Sequence, residues 1–107
     1  MKNIAITLMG TTLLLTHIYA SSSCIDKGKL LYDEKIKAVC SISAYGLAEK
    51  HSQDEWEALQ KKENIIKEIK VLCKTNATFD FNKDERFNLY NFLYEYANDG
   101  EGGGCGF

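Results

Sequence analysis

"LLYDEKIKAVCSISAYG", residues 30–46, decides the fold class. Leu30, Leu31, Ala38, Val39 and the Tyr32/Ile36 pair form a broad apolar stripe at helical spacing, with Asp33, Glu34, Lys35 and Lys37 outside it. The pattern predicts a helix from about Asp26 to Cys40. It is broken by the small residues Ser41, Ser43, Ala44 and Gly46, so "SISAYGLAEKH" reads as a short helix or an irregular link. Gly28 costs a helix up to about 1 kcal/mol relative to alanine. Its presence implies a close packing contact there, or fraying.

Working outward, the chain has no proline, so its helices must end at glycines, polar clusters and caps. "SQDEWEALQ" opens with a capping box in which Ser52 caps and Glu55 reaches back. Trp56 and Leu59 make the inner face. Ile65, Ile66, Ile69, Leu72 and Cys73 continue at helical spacing. Residues 53–74 are one helix or two, and a bend near Lys61–Asn64 is favoured. "TNATFDFN" is the main loop. Asn82 and Glu85 form a second cap pair, for a last helix carrying Phe87, Leu89, Tyr90, Phe92, Leu93, Tyr94 and Tyr96. Strand-like alternation and internal repeats are both missing from the sequence. The expectation is an all-α domain of about four helices over residues 21–99, then a glycine-rich tail, 100–107, holding Cys105.

Residues 1–20 read as a signal peptide. Lys2 supplies a short basic start, "IAITLMGTTLLL" (residues 4–15) is shorter than the ~20 residues that span a bilayer, and "IYA" offers a cleavage site after Ala20. A retained anchor and acylation of Cys24 are the alternatives, but "SSSC" lacks the leucine that usually precedes a lipidated cysteine. The 87-residue remainder has 12 basic against 15 acidic side chains, a formal charge of −3. Without a long basic block it is a poor partner for nucleic acid. It also has no further membrane-length apolar run, so a periplasmic or secreted protein is expected.

Cys24, Cys40, Cys73 and Cys105 all fall in the mature part. An even cysteine count in a small exported domain implies disulfides, because such a domain buries little apolar surface. Three pairings are possible. Cys40–Cys73 is favoured, since both end apolar helix faces, and closing that loop of about 34 residues stabilises by ~3–4 kcal/mol.

Catalysis has no visible seat, and a non-enzymatic protein is expected. Asp54, Glu55, Glu57, Glu63 and Glu68 lie among lysines as a solvated face. Asp80, Asn82 and Asp84 imitate the start of a calcium loop, but Glu85 and Asn91 stand where glycine and glutamate are required, so a helix cap is the better reading. Asn76 heads a formal glycosylation sequon. His51, the single mature histidine, is a cap-adjacent side chain or, as the alternative, an iron or zinc ligand. No metal-ligand spacing surrounds it. The aromatic cluster of the last helix reads first as core, its tyrosines packing against Trp56 and Leu31 with their hydroxyls at the rim; the alternative is a binding surface, and because the set is larger than one helix face can bury, Tyr90, Tyr94 and Tyr96 are the candidates for it.

"KGKLLYDEKIKAVCSISAYGLAEKHSQDEWEAL", "EIKVLC" and "LYNFLYEYANDGEGGGC" together resemble small exported bacterial proteins labelled cytochrome c or cytochrome-c-like. The resemblance covers most of residues 27–105 and rests on the order of the motifs. It implies an all-α cytochrome-c-like fold in the periplasm and an electron-transfer ancestry. The haem-attachment signature C-x-x-C-H is missing: Ile36, Val39 and Cys40 occupy its two cysteine and one histidine slots. Met1 and Met9, the only methionines, lie in the signal segment. No cofactor is therefore expected. The functional expectation is a haem-free cytochrome-c-like partner in respiratory or redox protein assemblies. The alternatives are a disulfide-stapled helical binder, such as an immunity protein or periplasmic chaperone, and a haem carrier using His51.

Overall fold

The computed structural model describes residues 25–101, and every described element is helical. The segment read as a signal peptide, its expected cleavage site after Ala20, Cys24 and Cys105 lie outside the described residues. Helix α1 covers 25–31 and runs on through a π-helical turn, Tyr32–Ile36, and a 3₁₀ turn, Lys37–Val39. Then come α2 (Ala44–Ala48), α3 (Gln53–Lys61), α4 (Ile65–Cys73) and α5 (Lys83–Glu95). The fold has one helix more than expected, because the short link after Cys40 closes into α2. Ser43 caps it, its hydroxyl accepting from the Gly46 N–H at 3.0 Å.

The π turn changes which side of the first helix is buried. The Lys37 N–H reaches back to the Tyr32 carbonyl, one residue further than an α-helical bond. Leu31, Tyr32 and Ile36 face inward, whereas Leu30, Ala38 and Val39 face solvent. The apolar stripe expected to include these three is therefore narrower. Leu30 lies in the regular helix before the π turn, about 200° from Tyr32, whereas Ala38 and Val39 follow it, where the segment winds more loosely and then more tightly.

Both expected capping boxes form. Ser52 Oγ accepts from the Glu55 N–H at 3.2 Å while Glu55 Oε1 accepts from the Ser52 N–H at 2.8 Å. Asn82 and Glu85 make the same exchange at 2.8 and 3.0 Å. The bend between α3 and α4 falls at residues 62–64, where Glu63 takes a positive φ of 57°.

α5 packs most extensively on α3 and also meets α2 and α4. Trp56, Tyr32, Phe92, Ile36, Leu47, Ile69, Leu89 and Leu93 are the largest of the fully buried side chains among the described residues. Trp56 satisfies its buried indole N–H by donating to the Ala48 carbonyl at 2.9 Å, which ties α3 to the end of α2. Leu59, expected on the inner face with Trp56, is only partly buried. A disulfide joins Cys40 to Cys73, the favoured pairing, and pins the end of the first helical segment to the end of α4.

Candidate functional site

The segment whose spacing was compared with a haem-attachment signature serves the fold. Ile36 is fully buried, Val39 points to solvent, and Cys40 is bonded to Cys73. Beside them a surface groove of about 440 Å³ runs past Tyr32, Lys37, Cys40 and Tyr45. The Tyr32 hydroxyl donates to the Ile42 carbonyl, holding the chain as it turns into α2. Burial first, and then the neighbouring Asp33 carboxylate, push the Tyr32 phenol above its usual range. Covalent haem needs two thiols and an axial histidine at these positions, and the residues present do not fit it.

His51 is engaged on every side. Its Nε2 lies 2.6 Å from Glu68 Oε2 and its Nδ1 3.6 Å from Glu55 Oε1. The ring stands edge-on to Trp56, with centroids 4.8 Å apart. Its carbonyl accepts from the Asn98 N–H at 3.1 Å. His51 thereby links the start of α3, the side of α4 and the segment after α5. An axial ligand would need a free ring nitrogen, and in this arrangement Glu68 faces the better-placed one. Among the described residues no group of three His, Cys, Asp or Glu side chains is arranged to hold a metal ion.

Glu55, Glu57 and Glu85 have local duties. Glu55 and Glu85 close the capping boxes, and the backbone N–H groups of Ser52 and Asn82 hold their carboxyls below the ordinary value of 4.5. Glu57 faces Lys61 across one helical turn at 3.9 Å. Where the sequence imitates a calcium loop, Lys35 fills the space. Its Nζ donates to the Asp80 carbonyl at 2.6 Å, approaches Glu85 at 3.3 Å and sits 4.9 Å from the centre of the Phe81 ring. Asp80, Asn82 and Asp84 thus form a cap and its approach, as the sequence suggested. Asn76 is exposed in the main loop.

The aromatic set of α5 divides in two. Phe92 and Leu89 enter the core, and Tyr96 packs between Phe92 and Tyr45 at centroid distances of 5.2 and 4.9 Å. Phe87, Tyr90 and Tyr94 form a separate row, with successive centroids 6.3 and 5.7 Å apart. Phe87 is exposed, and Tyr90 and Tyr94 are half-buried. Burial raises the Tyr90 phenol, with smaller contributions from Glu57 and Tyr94. Tyr96, named with Tyr90 and Tyr94 from sequence, is half-buried as they are and, like Tyr90, packs against the core, but it lies on the other side of the helix, because two residues turn the chain by about 200°. Spacing alone parts the two sides, but it does not say which of them meets the core, since both are aromatic.

No known protein family, curated protein or solved structure matches this chain.

Proposed function

We propose that this chain is a non-enzymatic, exported protein-binding domain, a haem-free cytochrome-c-like protein that joins respiratory or redox assemblies in the periplasm. The supporting observation is the row Phe87–Tyr90–Tyr94, which keeps aromatic surface on the outside of a helix whose other side already fills the core. Half-exposed tyrosines with an exposed phenylalanine are the residue types that anchor protein partners. Several residues that could carry chemistry are engaged in the fold: Cys40 in a disulfide, His51 between two carboxylates, and the glutamates of both caps in backbone hydrogen bonds. The cytochrome-like ancestry comes from the motif order and favours a redox-associated partner.

A photo-crosslinking residue placed at Phe87 or Tyr94 in the exported protein should capture one defined partner. Tyr90→Ser combined with Tyr94→Ser should abolish that capture with little change in melting temperature. If the double substitution unfolds the domain, or capture persists, the row is only core margin and the reading fails.

A further inference from the structure

The outer face of α4 is built at odds with the helix it belongs to. Lys67, Lys70 and Lys74 line one side of a surface groove of about 380 Å³, together with Val71, Thr75 and Asn76. Lysines three and four residues apart on one helix face repel one another. Lys67 sits in the first turn, where the helix dipole disfavours a cation. Its neighbour Glu68 is held by His51 on another side. Lys74 takes the left-handed conformation that ends α4, with φ 54°, a position usually given to glycine. Among the described residues, none of the three lysines has a carboxylate within ion-pair distance. In their midst Val71 is 64% exposed, more than any other large hydrophobic side chain of the described residues. The dipole accounts for lysines in the last turn of a helix. It does not account for Lys67, nor for the bare valine.

We infer that this face docks an acidic segment of a protein partner, in which two or more carboxylates flank an apolar side chain. The carboxylates would pair with Lys67, Lys70 and Lys74, the apolar side chain would cover Val71, and Thr75 and Asn76 would donate at the rim. The chain as a whole is negative, with a formal charge of −2, so an isolated basic face steers and orients an acidic partner locally. Other anions suit it less well. Membrane-binding clusters use about 4–8 basic residues. A nucleic-acid surface neutralises more phosphates than three lysines reach, and meets repulsion from the rest of the molecule. This docking face deepens the protein-binding reading and rests on it, but uses a different helix from the tyrosine row.

The test uses the oxidised mature protein and a fluorescent synthetic peptide with a leucine between two Glu-Asp pairs. A lysine-substituted peptide and phosphatidylglycerol vesicles serve as comparators. Fluorescence anisotropy at low salt should show saturable binding of the acidic peptide alone. Raising the salt to about 0.5 M should abolish it. Lys67→Glu and Lys70→Glu should each weaken binding by about tenfold or more, and Val71→Ser should weaken it at unchanged salt dependence. Lys67→Glu should melt no lower than the parent, since a glutamate suits the first turn. Absence of peptide binding, binding unaffected by the α4 substitutions, or binding to the vesicles in place of the peptide would each overturn the inference. Tyr90→Ser and Tyr94→Ser should leave peptide binding intact. If they alone abolish partner capture while the α4 variants change nothing, the α4 face falls and the tyrosine reading stands.

Discussion

Gly28 lies directly against Phe92, so that a Cβ added to Gly28 would come within 2.6 Å of the Phe92 Cβ and would also strike the Asn88 carbonyl. The glycine lets α1 approach the backbone of α5. Gly28→Ala should gain up to about 1 kcal/mol in helix propensity and lose about 1–3 kcal/mol to overpacking. Asn88 contributes backbone, which cannot swing aside, so the loss should win. The variant should melt several degrees lower. A melting temperature equal to or above the parent's would contradict the close contact.

Acid should loosen both long-helix caps. Glu55 and Glu85 have carboxyls held below 4.5 by the backbone N–H groups of Ser52 and Asn82. For a carboxyl depressed in the folded state, its stabilisation is complete above the unfolded value and is lost as pH falls from there through the folded value. Stability should therefore decline as the pH drops below 4.5. Glu55→Gln with Glu85→Gln should flatten that decline. Urea midpoints measured across the acid range would show it, and an unaltered slope would remove these two groups as the cause.

Removal of the Cys40–Cys73 bridge should be costly. The double substitution Cys40→Ser, Cys73→Ser should lower stability by about 3–4 kcal/mol, because a loop spanning 33 residues regains its freedom when unfolded. Native oxidised protein should show neither thiol to an alkylating reagent. Labelling at either position before reduction would contradict the bridge.

Protein made alongside a cytochrome maturation system should carry no haem. Ile36 and Cys40 are committed to the core and the bridge, and His51 Nε2 faces Glu68. A pyridine haemochrome assay gives the answer. A stoichiometric Soret band that disappears in His51→Ala would restore the electron-carrier reading.

The parts of the fold legible in sequence were those set by short-range rules. Ser52/Glu55 and Asn82/Glu85 act within three residues of each other, so their geometry follows from spacing alone. The cost of Gly28 pointed to a close contact or to fraying; the structure has the contact, and Asn88 and Phe92 could not be named as its partners from sequence. Val39 was misplaced because a π turn has no composition of its own: it alters the period by which faces are counted. Leu30 precedes that turn, and about 200° of ordinary helix separates it from Tyr32, so the stripe was simply drawn too wide there. In the candidate site, Tyr90 and Tyr94 were visible as surplus aromatic area, but which side of α5 meets the core was hidden by aromatic residues on both. The lysine face of α4 looked like an ordinary solvated helix side. What distinguishes it is that three lysines without a counter-charge gather around a bare valine on one face, and that depends on how α4 is turned in the fold.

The Cys40–Cys73 bond closes a covalent ring that contains α2, α3 and α4, and α5 hangs outside it on the linker of residues 74–82. A protease that nicks the backbone inside the ring leaves both pieces tied, and on a non-reducing gel the cut is silent. A nick in the linker has no such tether. After denaturation, α5 then travels with the ring only if Cys105 is bonded to a cysteine on the other side of the cut. Gel mobility of linker-nicked protein therefore reports directly on the pairing of Cys105 with Cys24.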